Sequence, residues 1–179
     1  GLDAVELLGS TGYLISQFLS PLTNQRADKY GGSFDQRLTF VRELVQAVKS
    51  KTGTDFPLIF RLSSTDNMVG GLDADDERHV AVKLAEWGVD MLNVTAGWHD
   101  SPVHQIGPSV PHGHLVPLAA KIKHEVNIPV SCAFRITGPE LARHLIESGQ
   151  LDMVTTARAL LADPEWPNKA KAGRDDSIR

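Results

Sequence analysis

The chain has 179 residues, of which 41% are hydrophobic and 22% charged, a composition that excludes disorder and a fibrous repeat and supports one sizeable core. A net charge of -4 supplies no basic face to offset a phosphate backbone, which excludes a nucleic-acid-binding domain. The single cysteine, Cys132, excludes a disulfide framework within these residues, and no apolar run approaches the ~20 residues that span a bilayer, so a reducing, cytoplasmic setting without a membrane partner is expected.

Residues 1–3 lead directly into an apolar run at 4–8, with no methionine, helix or cap before it, so the start reads as a chain cut inside a loop. Comparable runs follow at 57–62, 91–94, 129–133 and 153–156. Each is short, apolar and not strictly alternating, which suits strands of a parallel sheet covered on both faces. Helical patterns lie between them. Ser33 and Gln36 form a capping box for a helix with an apolar stripe of Leu38, Val41, Leu44, Val45 and Val48, ending near Gly53. Asp73 caps a second helix, with Val80, Leu84 and Trp87 on one face and Gly88 at its end. Leu115, Leu118, Ala119, Ile122 and Val126 make a third stripe. Thr137 and Glu140 predict another capping box, for a helix that turns Leu141 and Leu145 inward until Gly149. Residues 157–161 and 165–172 read as short helices separated by Asp163-Pro164.

Regular strand–helix alternation means a parallel α/β fold. An open doubly wound sheet and a closed (β/α) barrel both satisfy it. No Gly-rich strand-to-helix turn of the dinucleotide-binding type is present. With the abrupt start, this favours the last five units of a (β/α)8 TIM barrel, a single domain over residues 1–179 from which the first three units are absent. Two open sheet edges would then invite self-association.

Tyr13, Arg61, His99, Arg135 and Arg158 sit at or beyond the ends of the five successive strands. In a barrel those positions share the carboxyl-terminal face, where this fold builds active sites. Gly97-Trp98-His99 reads as the rim of such a site, since imidazole exchanges protons near neutral pH. A surface histidine in a mobile loop is the alternative. Arg135 and Arg158 together point to a bound phosphate, against surface ion pairs for each alone. Arg61, within a buried strand, requires an acceptor. His112-Gly113-His114 reads as a solvated loop rather than half of a metal site, Cys132 and Trp87 as core, and Trp166 as packing for a terminal helix.

The run from Gly12 to Arg26, GYLISQFLSPLTNQR, followed by Asp28-Lys29-Tyr30-Gly31-Gly32-Ser33, resembles the signature of old yellow enzyme-type FMN oxidoreductases. Arg61-Leu62-Ser63 and the ending ARALLADP, Ala157 to Pro164, are similar to the same family. Gly97-Trp98-His99, with Val110-Pro111 and Gly113 beyond it, resembles the 2,4-dienoyl-CoA reductase branch. Leu8 and Thr11 stand where simple ene-reductases of the family carry the His and His or Asn that grip a substrate carbonyl, which points to the same branch.

The resemblance implies bound FMN, with Arg61 near the ring edge, Phe134 packed beside the ring, and Arg135, Ala157 and Arg158 around the phosphate. It implies Tyr13 as proton donor to the substrate carbon, supported by His99, and Thr23, Asn24, Gln25 and Arg26 in a loop near the substrate. The expected reaction is reduction of a conjugated enoyl (2,4-dienoyl) thioester, with NAD(P)H as electron source. In multidomain relatives a cysteine cluster for a 4Fe-4S centre and an FAD/NADPH domain follow this point, and this chain carries ligands for neither. The alternatives are a flavin-free structural fragment that assembles with copies of itself, a simple NAD(P)H-dependent ene-reductase of the family, and an unrelated phosphate-binding barrel lyase or isomerase.

Overall fold

The five apolar runs pair side by side in a computed structural model that describes residues 1–102, 107 and 109–179; residues 103–106 and 108, within the Pro- and His-rich loop, lie outside the described residues. The strands are β1 (Val5–Gly9), β2 (Leu58–Ser63), β3 (Met91–Thr95), β4 (Val130–Cys132) and β5 (Met153–Val154). All neighbours are parallel, and their order across the sheet equals their order in the chain. That order decides the architecture. A doubly wound sheet reverses direction at a switch point, whereas here every strand lies beside its predecessor, as in a barrel. The chain folds as five consecutive strand–helix units of a TIM barrel.

Phe60, Leu58, Leu62, Leu92, Val94, Val130 and Cys132 are fully buried, on one face of the sheet. Against them pack helices α3 (Thr39–Thr52), α4 (Ala74–Glu86) and α5 (Val116–Lys123) through Val41, Val45, Val80, Leu84, Ala119 and Ile122, all at most 1% exposed. Burying each of the larger of these side chains contributes roughly 1.5–3 kcal/mol. Leu118 and Trp87 are only half-buried, at the margins of their stripes. The register row Leu8, Arg61, Asn93, Ser131 and Met153 runs across the sheet on its other face.

Local chemistry sets most helix ends. Ser33 and Gln36 form the expected reciprocal box on α2 (Phe34–Arg37), which buried Leu38, itself with helical backbone, joins to α3. Asp73 accepts from the backbone N–H of Asp75 and of Asp76 at the start of α4. The Thr137–Glu140 box does not form. Gly138 is the cap of α6 (Pro139–Glu147), with no side chain bonded to it, while Thr137 Oγ1 lies 3.0 Å from His112 Nδ1. Pro139 in the first turn already lacks one of the N–H groups a cap would satisfy. Helix α1 (Leu14–Leu19) has no counterpart in the sequence reading, because six residues are too few to show a period. The Ser16 hydroxyl holds its start by donating to Tyr13 O at 2.8 Å. After β5, α7 (Arg158–Ala162) and α8 (Trp166–Lys171) flank Asp163, and buried Trp166 donates Nε1–H to Thr137 O at 2.8 Å.

Candidate active site

Tyr13 and His99 extend from loops at the carboxyl ends of β1 and β3, and His99 Nε2 lies 3.0 Å from the Tyr13 hydroxyl. Their rings meet edge to face, 5.4 Å apart at 75°. Both side chains face solvent, Tyr13 at 49% exposure, so a ligand can reach the phenol. The two loops touch through backbone as well: the His99 N–H donates to Thr11 O at 3.4 Å, beside a bridge between Thr11 and Trp98. Thr11 and Gly12 both have left-handed backbone, at φ 64° and 85°. A Cβ on Gly12 would lie only 3.1 Å from Trp98 Cε3, so the turn before Tyr13 needs glycine for conformation and for space.

Trp98 is held from behind. Its Nε1–H donates to Asp66 Oδ1 at 2.6 Å, and Asp66 Oδ2 accepts from the Ser20 hydroxyl and the Leu72 N–H, both at 2.8 Å. Ser101 Oγ donates to Asp66 O at 3.0 Å and accepts the Trp98 N–H at 2.7 Å. Burial pushes the Asp66 carboxyl above its ordinary range, opposed by the Leu72, Ser20 and Trp98 bonds. Sequence reading missed this residue. Its signal was an aspartate between β2 and α4 that helix capping does not require, because Asp73 already caps α4.

A cleft of about 410 Å³ opens beside the carboxyl ends of β2, β4 and β5, lined by Arg61, Arg135, Ala157, Arg158 and Arg179. Arg61 Nε is buried with no hydrogen-bond partner among the described residues. Arg135, at φ 51°, directs Nη1 to the carbonyls of Gly107, at 2.9 Å, and Val110, while its Nη2 lies 3.3 Å from His112 Nε2. The guanidinium thus ties the loop after β3 to the cleft wall. Phe134 does not line the cleft: it is 4% exposed and packs in the core, from the turn beyond β4 in which its neighbours Ala133 and Arg135 take the cleft side. Arg179 was also missed, since nothing local marks a terminal arginine as cleft-facing. Cys132 is fully buried, and burial pushes its thiol up to about 12.

The polar run after α1 is occupied with its own fold. Asn24 Nδ2 donates to Phe18 O at 2.6 Å and Tyr30 O at 2.7 Å, Thr23 Oγ1 to Gln17 O at 2.9 Å, and Gln25 Nε2 to Pro21 O at 2.8 Å. Arg26 pairs with Asp28 and lies over the Phe18 and Tyr30 rings, 5.8 Å from each centroid. Thr23, Asn24 and Arg26 nevertheless line a cleft of about 200 Å³ with Leu14 and Gln17, on the helix that follows Tyr13; Gln25 is not among its lining residues.

Residues 1–177 match the model of the NADH:flavin oxidoreductase / NADH oxidase family. The chain belongs to this family. It is 45% identical to a metal reductase of Desulforamulus reducens over all of its own length and 27% of that protein. To an NADPH dehydrogenase of Halalkalibacterium halodurans it is 36% identical, over 95% of this chain and 48% of that one. A 2-naphthoyl-CoA reductase solved with 2-naphthoyl-CoA superposes at a TM-score of 0.94 and 35% identity, over 98% of this chain and 27% of that chain. The chain therefore spans about a quarter to a half of these relatives. The family is that of the old yellow enzyme-type flavin oxidoreductases, and membership implies FMN. The residues present suit that group: a buried, unpartnered Arg61 Nε and further guanidinium groups around one cleft match an anionic cofactor with an electron-rich ring. No helix among the described residues is long and apolar enough to cross a membrane.

Proposed function

We propose that this chain carries the catalytic face of an FMN-dependent reductase that saturates the conjugated C=C of an enoyl thioester, of the 2,4-dienoyl-CoA reductase type. The observation that carries the reading is the 3.0 Å contact between His99 Nε2 and the Tyr13 hydroxyl, on the face where a TIM barrel does chemistry. Bound FMN supplies the hydride. Tyr13 supplies the proton for the second carbon, so one hydride and one proton add across the double bond. His99 orients the phenol and stabilises the phenolate left behind, since a phenol is a weak acid. Leu8, beside Arg61 in register, offers a substrate carbonyl no donor, which supports a thioester gripped elsewhere.

Arg61 would hold the electron-rich edge of FMN and stabilise charge accumulating there, with Arg135, Ala157 and Arg158 toward the phosphate. Thr23, Asn24 and Arg26 would lie beside the substrate, a reading that the cleft they line supports. Residues 1–179 act as one domain of the FMN barrel. NAD(P)H is the electron source, and a longer parent would carry the 4Fe-4S and FAD groups, a reading supported only by the greater length of relatives such as the metal reductase, of which the chain spans 27%.

Stopped-flow measurements on the intact flavin-loaded protein separate the two half-reactions. Tyr13→Phe is expected to leave flavin reduction by NAD(P)H unchanged and to slow reoxidation by an enoyl thioester about 10²- to 10⁴-fold, the usual range for losing a general acid. Equal losses in both steps, or a loss in neither, would remove Tyr13 from the chemistry.

A further inference from the structure

Asp66 is 1% exposed, and its carboxylate gathers donors from three loops: Ser20 after α1, Leu72 before α4, and Trp98 after β3. The loop is shaped around it. A Cβ on Gly71 would fall 2.7 Å from Asp66 Oδ2 and 2.8 Å from its Cβ, so no other residue allows that approach without displacement. The indole that Asp66 holds lies against Gly12, one residue before Tyr13, and belongs to the residue before His99. Tyr13 thus follows the residue that the indole packs against, and His99 follows Trp98 itself.

We propose that Asp66 is a positioning residue: by anchoring Trp98 Nε1 it fixes the indole against Gly12 and thereby sets the distance between His99 and the Tyr13 hydroxyl. This rests on the catalytic reading of Tyr13 and His99. Asp66 touches neither of them and acts through Trp98.

Two acceptor oxygens are needed at this position. The Trp98 and Leu72 N–H groups bond different carboxylate oxygens, and neither can reverse its role. An amide in place of the carboxylate sets its NH₂ against one of them, so Asp66→Asn keeps the size and breaks the anchor. Trp98→Phe breaks the same bond from the other side while keeping a ring against Gly12.

The test uses the intact flavin-loaded protein with ¹⁵N-labelled histidine, the His99 imidazole being identified by its loss in His99→Gln. Asp66→Asn and Trp98→Phe are each expected to move the His99 Nε2 resonance toward its position in Tyr13→Phe. Each is also expected to lower kcat for enoyl reduction about tenfold or more, the scale of a sub-ångström to ångström misplacement. KM should stay within about twofold and flavin reduction should be unchanged, since Asp66 touches neither ligand. In a Tyr13→Phe background Asp66→Asn should cause no further loss, because its effect passes through the phenol.

An unmoved His99 resonance in folded Trp98→Phe overturns the proposal, as does a full additional loss in the Tyr13→Phe background. If Asp66→Asn does not fold, Trp98→Phe decides on the same resonance. If both variants move the resonance while Tyr13→Phe leaves enoyl reduction intact, the positioning stands and the catalytic reading falls.

Discussion

Glu77→Gln should make the protein more stable at neutral pH, and the gain should grow with pH. Glu77 is in the first turn of α4, 2% exposed, and its Oε2 has no hydrogen-bond partner among the described residues. Burial, with the negative charges of Asp66 and Asp76 adding to it, holds the carboxyl protonated well above the ordinary carboxylate range. The helix dipole favours the ionised form at this end, but by only about 0.3–2 kcal/mol, against a desolvation cost of several kcal/mol for a buried ion. Burial wins. Below the ordinary value of 4.5 both folded and unfolded chains keep the proton, and its stabilising effect is complete. As pH rises the unfolded chain ionises first, so this stability is lost progressively until the folded carboxyl also ionises. Within that window each pH unit shifts the unfolding equilibrium by up to about tenfold. Glutamine has no proton to hold and shows none of this loss. Urea unfolding of both proteins from pH 4 to 8 measures the effect: the ratio of their unfolding constants should be smallest at pH 4 and rise steadily. A ratio that stays constant across the range would mean that Glu77 is ionised in the folded protein and that the burial argument fails.

Gly12→Ala should destabilise the fold by at least about 1–2 kcal/mol for a left-handed alanine, with the 3.1 Å approach to Trp98 adding to it; thermal unfolding checks this, and an unchanged midpoint would show that the turn relaxes freely. Asp163 accepts from Lys169 Nζ at 2.6 Å, the Arg179 N–H at 3.1 Å and the Glu165 N–H at 3.1 Å, and the Lys169 ammonium holds its carboxyl below the usual 3.8. Its stabilising effect is therefore present above about that value and is lost as pH falls through the lower folded one, so Asp163→Asn should loosen α8 at neutral pH. Amide hydrogen exchange over Trp166–Lys171 reads this directly, and unchanged protection would remove the anchoring role. Arg61→Leu in the intact protein should weaken FMN retention or make the flavin harder to reduce; unaltered retention and potential would leave Arg61 with no part in the site.

The local signals were legible where short stretches encode them. The Ser33 box, the Asp73 cap, the helix ends at Gly53 and Gly88 and the five apolar runs all appear within a residue or two of their reading, because caps and burial patterns act over a single turn or strand. Thr137 shows the limit: a capping sequence was present, but its hydroxyl met His112, 25 residues away. Their places beyond the ends of their strands marked Tyr13 and His99 as rim residues, yet only the order of β1, β2 and β3 brings those loops into contact.

From the sequence alone came the alternation of strands and helices, the likeness to a flavin oxidoreductase family and the residue types at the strand ends, since each depends on neighbours along the chain. Tertiary structure decided that the sheet is singly wound, that Phe134 is core while Arg179 reaches the cleft, and that Asp66 holds Trp98 behind the pair Tyr13 and His99. Those outcomes depend on which loops a parallel sheet carries to the same end, and residues separated by 32 and 86 positions meet there with no trace in local pattern.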